Sequence, residues 1–135
     1  MMKIKEHGIY KTYSVLVSSI FCNLFGGFDV LLNSLFILSA VDIITGILSM
    51  IFMKSVSSKI LFQFFAKKIC VYCIVAVSVS IDSVLNTGSS MRGACIGFFI
   101  GTEALAVLEN CNLVGLPLPS KLLDVLSDFN KNNNK

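Results

Sequence analysis

The segment VLLNSLFILSAVDIITGILSMIFM, from Val30 to Met53, decides the fold class of this chain. Its only charged residue, Asp42, lies near the middle. Roughly 20 apolar residues are enough for an α-helix to cross the hydrocarbon core of a bilayer, so the segment is long enough to span it. A carboxylate at that depth is unfavourable by about 2.5–3.5 kcal/mol on insertion scales. The segment therefore predicts a transmembrane helix whose acidic residue has a function.

The composition of the whole chain favours the same class. Hydrophobic residues make up 55% of its 135 residues and charged residues only 14%, with a mean hydropathy of +0.81. A soluble domain of this size would expose far too much apolar surface. The net charge of +3 is small and its lysines flank apolar segments, which indicates membrane anchoring and no nucleic-acid partner. We predict an all-α, small helical integral membrane protein with a single membrane domain over residues 1–135.

Four apolar stretches are candidate spans, at residues 12–28, 30–53, 69–85 and 93–115. The Lys and Arg residues before, between and after them number three, none, four, one and three. By the positive-inside rule this alternation predicts four spans with both termini in the cytoplasm. The first stretch is short and rich in serine, so an interfacial position is the alternative. That alternative leaves three spans and places the N-terminus outside.

Two segments outside these spans are also predicted to be helical. In the connector from Lys54 to Lys68, apolar residues recur at helical spacing, which predicts a surface helix capped by Ser57 or Ser58. An extension of the neighbouring spans is the alternative. After Pro117 and Pro119, a short amphipathic C-terminal helix is expected, followed by a disordered tail at about residues 130–135. The apolar side of that helix comprises Leu122, Leu123, Leu126 and Phe129.

Polar residues recur on single helical faces within the predicted spans. Asp42 shares a face with Ser39, Gly46 and Ser49, and Glu103 lies two turns before Asn110. Lipid offers such groups no hydrogen-bond partner, so these faces are expected to point toward other helices or water. The alternative role is neutral hydrogen bonding between helices. The candidates for pore lining or gating are Asp42, Asp82, Glu103, Glu109 and Asn110.

Glycines at a spacing of four residues indicate close helix packing. Gly93, Gly97 and Gly101 form a double GxxxG pattern, and Gly46 lies on the polar face of the second span. Such small-residue faces let two backbones approach closely in a membrane. We predict that these four glycines serve helix packing or homo-oligomerisation.

No catalytic, cofactor-binding or metal-binding pattern is present in the sequence. His7 is the single histidine, and Cys70-Val-Tyr-Cys73 is an isolated C-x-x-C inside an apolar stretch. Phosphate-binding loops and nucleophile elbows are absent as well. We therefore predict that the protein is not an enzyme and uses no cofactor or metal.

From about Val41 to Leu126 the chain resembles the phage lysis and toxin-secretion holin family, which includes clostridial toxin-export holins. The most specific part is EALAVLEN at 103–110 followed by GLPLP at 115–119. It is supported by VDIITG at 41–46, the Lys67-Lys68 pair and Asp82. Two features depart from the family pattern, namely Ala106 where a serine is common and the lack of glycines in the cytoplasmic connector.

The resemblance implies a holin of the bacterial cytoplasmic membrane. Such a protein self-associates in the lipid bilayer and opens lesions or pores that release an endolysin or a large toxin. A small cation- or proton-coupled transporter with a titrating membrane acid is the alternative. A passive membrane scaffold is a third possibility, but it would have no need for the acids.

Overall fold

The computed structural model is a chain of five α-helices. The structure describes residues 2–133, without the side chains of residues 126, 129, 130, 132 and 133. The helices are α1 (Met2–Phe25), α2 (Val30–Phe52), α3 (Ser58–Leu85), α4 (Ser90–Leu113) and α5 (Ser120–Asn133). Residues 2–133 contain no β-strand. The predicted all-α class and the C-terminal helix are confirmed.

Helices α2, α3 and α4 are long and apolar enough to cross a membrane. At 1.5 Å per residue they measure about 35 to 42 Å, which exceeds the roughly 30 Å hydrocarbon core. Helix α1 is not among these three helices, because Lys11, Asn23 and several serines lower the hydropathy even of its more apolar C-terminal part. The chain is therefore a helical membrane protein with three clear spans, and a crossing by residues 12–28 stays a prediction.

Helix α3 begins well before the predicted third span. The prediction of a separate surface helix between residues 54 and 68 was wrong, and the alternative of a helix extension is confirmed. The Ser57 side chain caps α3 by accepting a hydrogen bond from the backbone N–H of Ile60, as predicted for Ser57 or Ser58. No glycine or proline interrupts the sequence from there to Leu85, so the helix continues unbroken. Lys67 and Lys68 consequently lie inside α3.

The core of the bundle is small. Helices α2 and α4 make the closest contact, and α3 packs against α4. Among the side chains that the structure describes, the fully buried apolar ones are Leu32, Leu35, Val75 and Ile96. Many large apolar side chains on the spanning helices are exposed, which suits a molecule whose surroundings are lipid.

The four predicted packing glycines fall into two groups. Gly46 is a close-contact position, since a Cβ built there would lie 2.9 Å from Cζ of Phe64. A Cβ built at Gly93, Gly97 or Gly101 would meet nothing within 4 Å. The glycine face of α4 is thus unoccupied within the described part of the protomer, and its predicted role in packing between protomers stays untested.

The chain turns after α4 and enters α5. Gly115 has a φ of +95°, a conformation that favours glycine, and the carbonyl of Pro119 accepts bonds from the N–H groups of Leu122 and Leu123. Helix α5 extends to Asn133, which corrects the prediction of disorder for residues 130–133. Residues 134 and 135, and the predicted apolar side chains at positions 126 and 129, lie outside what the structure describes.

Candidate functional site

Three buried charged side chains meet in the middle of the bundle. They are Asp42 of α2, Lys68 of α3 and Glu103 of α4, and we call them the central charge cluster. The ammonium of Lys68 donates to Oδ2 of Asp42 and to Oε2 of Glu103. The side chains of the two acids are only 3% and 5% exposed, and that of Lys68 is 13% exposed. One buried cation therefore links three helices.

The position of the two acids within their helices explains why they need a cationic partner. Asp42 and Glu103 lie near the centres of α2 and α4, so both acids sit near the middle of spanning helices. With both carboxyls ionised, one ammonium leaves a formal charge of −1. Buried charges at this depth are tolerated only when they are paired and hydrogen-bonded.

Polar neighbours complete the hydrogen bonding around Asp42. The side-chain N–H of Asn110 donates to Oδ1 of Asp42 at 2.8 Å and to Oγ1 of Thr45 at 3.2 Å. The ring of Phe64 lies 5.4 Å from the Lys68 ammonium, a cation–π distance. The structure therefore brings together three of the five predicted pore or gating candidates, Asp42, Glu103 and Asn110.

A cavity of about 270 Å³ adjoins the cluster, large enough for several water molecules. Its polar lining comes from the three cluster residues together with Lys67 and Thr102. The exposed side chain of Lys67 lies at this cavity and makes no ion pair with a described residue. The interior is thus wettable on one side of the cluster.

Two buried hydroxyls lie one helical turn from the cluster. Ser39 comes one turn before Asp42 in α2, and Tyr72 one turn after Lys68 in α3. Among the described side chains, Ser39 Oγ and the Tyr72 hydroxyl are the buried polar atoms that make no hydrogen bond of normal geometry. The two oxygens lie close enough to interact with each other, so the pair is weakly satisfied. Each hydroxyl retains hydrogen-bonding capacity for water.

A second charged site lies at the end of the bundle where α2 and α4 begin. The guanidinium of Arg92 donates to both oxygens of Asp29, at 2.7 and 3.0 Å. It also donates to the carbonyl of Gly27 at 3.0 Å and to that of Phe25. We call these contacts the Arg92 clasp. The clasp joins the end of α1, the α1–α2 turn and the start of α4.

Asp82 belongs to this end of the molecule and not to the central charge cluster. Its carboxylate accepts hydrogen bonds from the N–H groups of Met91 at 3.0 Å and Arg92 at 2.8 Å. These bonds satisfy the first turn of α4, whose own N-cap residue, Ser89, makes no side-chain cap bond. The structure thus gives Asp82 a helix-capping position.

Glu109 also lies apart from the central charge cluster. Its side chain is exposed on α4, and it makes no ion pair or side-chain hydrogen bond with the residues that the structure describes. Of the five candidates, Glu109 is therefore the one that faces the surroundings of the protomer.

Lys68, Arg92 and Asp29 were not predicted as site residues. The lysine and the arginine were interpreted as markers of membrane borders. The sequence did contain a signal that Lys68 faces the bundle. In a continuous helix, the spacing from Lys68 to Val75 and Ser78 places all three residues on one side. The contact between Arg92 and Asp29 had no comparable signal, since it joins residues far apart in sequence.

The sequence profile of the bacteriophage holin family matches residues 19–131. An uncharacterized protein of Listeria monocytogenes is 34% identical, with the alignment covering 82% of this chain and 79% of the relative. An uncharacterized Clostridium perfringens protein is 31% identical over 86% of this chain and 89% of its own length. A probable holin of Bacillus phage phi105 is 25% identical over 77% of each chain. No solved structure matches the chain.

The first prediction concerns Lys68. Lys68→Met leaves two buried carboxyls without their cation, and breaking a buried ion pair in this way typically costs about 3–5 kcal/mol. We expect a clear fall in the unfolding temperature of the detergent-solubilised protein. Lys67→Met is the matched control, because that neighbouring lysine is exposed. Equal unfolding temperatures for the two variants would contradict a stabilising role for the central charge cluster.

The second prediction concerns the acid stability of the Arg92 clasp. The hydrogen bond from Arg92, followed by that from the N–H of Leu32, lowers the pKa of Asp29 from its ordinary 3.8 to about 2. Because the pKa is lower in the folded state, the clasp stabilises the fold above about pH 4. That contribution is lost as the pH falls through about 2.

The comparison of wild type with Asp29→Asn tests this pH range. Asparagine keeps an oxygen that can cap α2 and removes the charge together with one of the two oxygens that accept from Arg92. The variant should unfold at a lower temperature than wild type at pH 7, and the difference should shrink toward zero near pH 2. A difference that stays constant over this range, or that is already lost at pH 6, would contradict the assignment.

Proposed function

The chain belongs to the bacteriophage holin family, and from this premise we propose that it assembles in the bacterial cytoplasmic membrane and opens a lesion or pore. The passenger in this proposal is an endolysin or a large toxin. The family match covers all of α2, α3 and α4. Family membership also points to a non-enzymatic role.

The polarity of the bundle interior carries the proposal. Among the described residues, seven buried side chains are polar or charged, against four that are apolar. A passive membrane anchor has no need for such an interior, because each polar group adds an insertion cost. A protein that must later surround water gains from it. The polar core therefore favours passage of a solute over simple anchoring.

In the closed protomer, Lys68 keeps both acids paired and away from lipid. We infer that α3 moves away from α2 and α4 when the pore opens. Asp42, Glu103 and Asn110 then face water, which stabilises ionised carboxyls far better than lipid does. Glu109 already faces outward and contacts either lipid or another copy. Asp82 acts at the opposite end by holding the start of α4.

Association of several copies supplies the wall of the proposed pore. In lipid, helices associate through close packing and hydrogen bonds rather than through the hydrophobic effect. The glycine face of α4, formed by Gly93, Gly97 and Gly101, is free for such contact. We assign this face to homo-oligomerisation.

The proposed orientation follows the positive-inside rule. The lysine-rich ends of the spans and helix α5 are cytoplasmic, and the Arg92 clasp is external. The N-terminus is cytoplasmic if residues 12–28 cross the membrane. The proposed path of a passenger runs from the lysine-rich side toward the clasp side.

A small cation- or proton-coupled transporter is the second candidate. The cavity beside the central charge cluster favours it, because a single protomer already presents two acids to a wettable space. The two functions differ in their consequence for the cell. A pore collapses the membrane potential, whereas a transporter confers resistance to cationic compounds without lysis.

The third prediction tests pore formation through the membrane potential. Induced expression in bacteria should cause abrupt depolarisation of the membrane, which is measured with a voltage-sensitive dye. Asp42→Asn and Glu103→Gln keep the side-chain size and one acceptor oxygen, and Lys68 keeps the other acid as its partner in each, so insertion and abundance should be close to wild type. We expect depolarisation to be delayed or lost in at least one of them, because the charge that stabilises the hydrated state is gone.

Asp124→Asn is the control for this experiment, since Asp124 is exposed on α5 outside the spans. Wild-type timing in both core variants at equal abundance would mean that their charge is dispensable. The neutral hydrogen-bonding role would then be correct. Unchanged membrane potential together with resistance to cationic compounds would favour the transporter.

The fourth prediction concerns the glycine face. In the double variant Gly97→Leu, Gly101→Leu, two branched side chains stand where the second copy is expected to approach. Overpacking of this kind typically costs about 1–3 kcal/mol. Chemical crosslinking in membranes should show fewer high-order oligomers. Gly8→Leu is the control, because Gly8 also has open space around it but lies in α1. An unchanged crosslinking ladder would mean that the glycines face lipid.

A further inference from the structure

Helix α1 is attached to the bundle at one end only. Every residue from Met2 to Ile20 is exposed, and α1 contains no buried residue. Phe21 and Phe25 are the α1 side chains that pack against the core. Lipid provides no hydrophobic force that would hold the rest of α1 to its neighbours. The position of α1 therefore depends on contacts near its C-terminal end.

One set of these contacts is aromatic. Phe25 of α1 meets the ring of Tyr72 edge to face at 6.2 Å, and Phe21 stacks on Phe36 of α2 at 6.0 Å. Phe36 in turn stacks on Tyr72 at 4.8 Å. We call these four rings the aromatic layer. It joins α1 to α2 and α3 between the Arg92 clasp and the central charge cluster.

The aromatic layer covers two hydroxyls that have only each other. Tyr72 belongs to the layer, and its buried hydroxyl lies beside Ser39 Oγ without a hydrogen bond of normal geometry. The central charge cluster lies one turn away from this pair, at Asp42 of α2 and Lys68 of α3. Movement of Phe21 and Phe25 away from the bundle would make both hydroxyls accessible to water, which fills their remaining hydrogen-bonding capacity. An open aromatic layer therefore favours a hydrated interior.

The Arg92 clasp fastens the same end of α1. Its guanidinium binds the carbonyls of Phe25 and Gly27, at the negative end of the α1 helix dipole. Between them, Gly26 has a φ of +70°, and a Cβ there would lie 3.0 Å from Cδ and Nε of Arg92. The turn therefore fits tightly around the arginine side chain.

We propose that α1 is a releasable strap. In the resting state the Arg92 clasp and the aromatic layer hold its end over the outer half of the bundle. Detachment of that end is the step that admits water to the polar interior before the pore opens. The inference rests on the proposed pore function and adds the element that keeps the pore shut.

A reversible crosslink between α1 and α2 tests the strap. Phe21→Cys and Phe36→Cys are introduced after the native cysteines have been replaced by alanine, and the pair is bridged with a short reducible bismaleimide. The protein is reconstituted in vesicles that contain a fluorescent dye. We expect the bridge to slow dye release at least tenfold and reduction of the bridge to restore it. Dye release at the unbridged rate after complete bridging would overturn the proposal.

The control retains only the native Cys70 and Cys73, which lie one turn apart on α3 and are both exposed. A bridge within one helix leaves α1 free, so dye release should continue. Arg92→Gln provides an independent measurement, because loss of the clasp should make dye release earlier, whereas Arg92→Lys retains the charge and should be intermediate. Unbridged protein that releases no dye would contradict the pore function itself, and the strap proposal would fall with it.

Discussion

The ammonium of Lys68 between two buried carboxylates is the interaction on which the rest of the structure depends. Helices α2 and α4 pack closely through their backbones, whereas α3 reaches Asp42 of α2 through a long side chain. Without that cation, two acids near the middle of spanning helices would have no charged partner among the described residues. The same pairing makes the closed form stable and leaves its interior ready for water, because ionisable groups need either a partner or hydration.

The distribution of small and polar residues follows from the lack of a hydrophobic force between helices in lipid. Each helix must therefore be held by specific contacts, and the type of contact differs from one helix to the next. Gly46 accommodates the ring of Phe64, which in turn lies beside the Lys68 ammonium. Arg92 binds carbonyl groups that the end of α1 leaves free. The remaining surface is apolar or small and is available to lipid or to further copies.

Much of this organisation was predictable from the sequence. The length and composition of α2 predicted a span, and helical spacing placed Asp42 on a polar face. The spacing of Glu103 and Asn110 likewise predicted their shared face. The position of Lys68 inside the bundle was not predictable in this way. A lysine that anchors a helix at the lipid headgroups and a lysine that neutralises acids inside the membrane have the same appearance in a sequence. Only the position of Asp42 and Glu103 relative to Lys68 distinguishes them.

The exposure of α1 from Met2 to Ile20 has a consequence for how the sequence can change over time. A residue that contacts no other part of the protomer is constrained only by the lipid or solvent around it. The profile of the holin family begins at residue 19, close to Phe21, where α1 first packs against the core. Amino-acid replacements, length changes or an added peptide before that point would leave the shared bundle intact. The N-terminal part of α1 is therefore where relatives can diverge while the three spans stay recognisably alike.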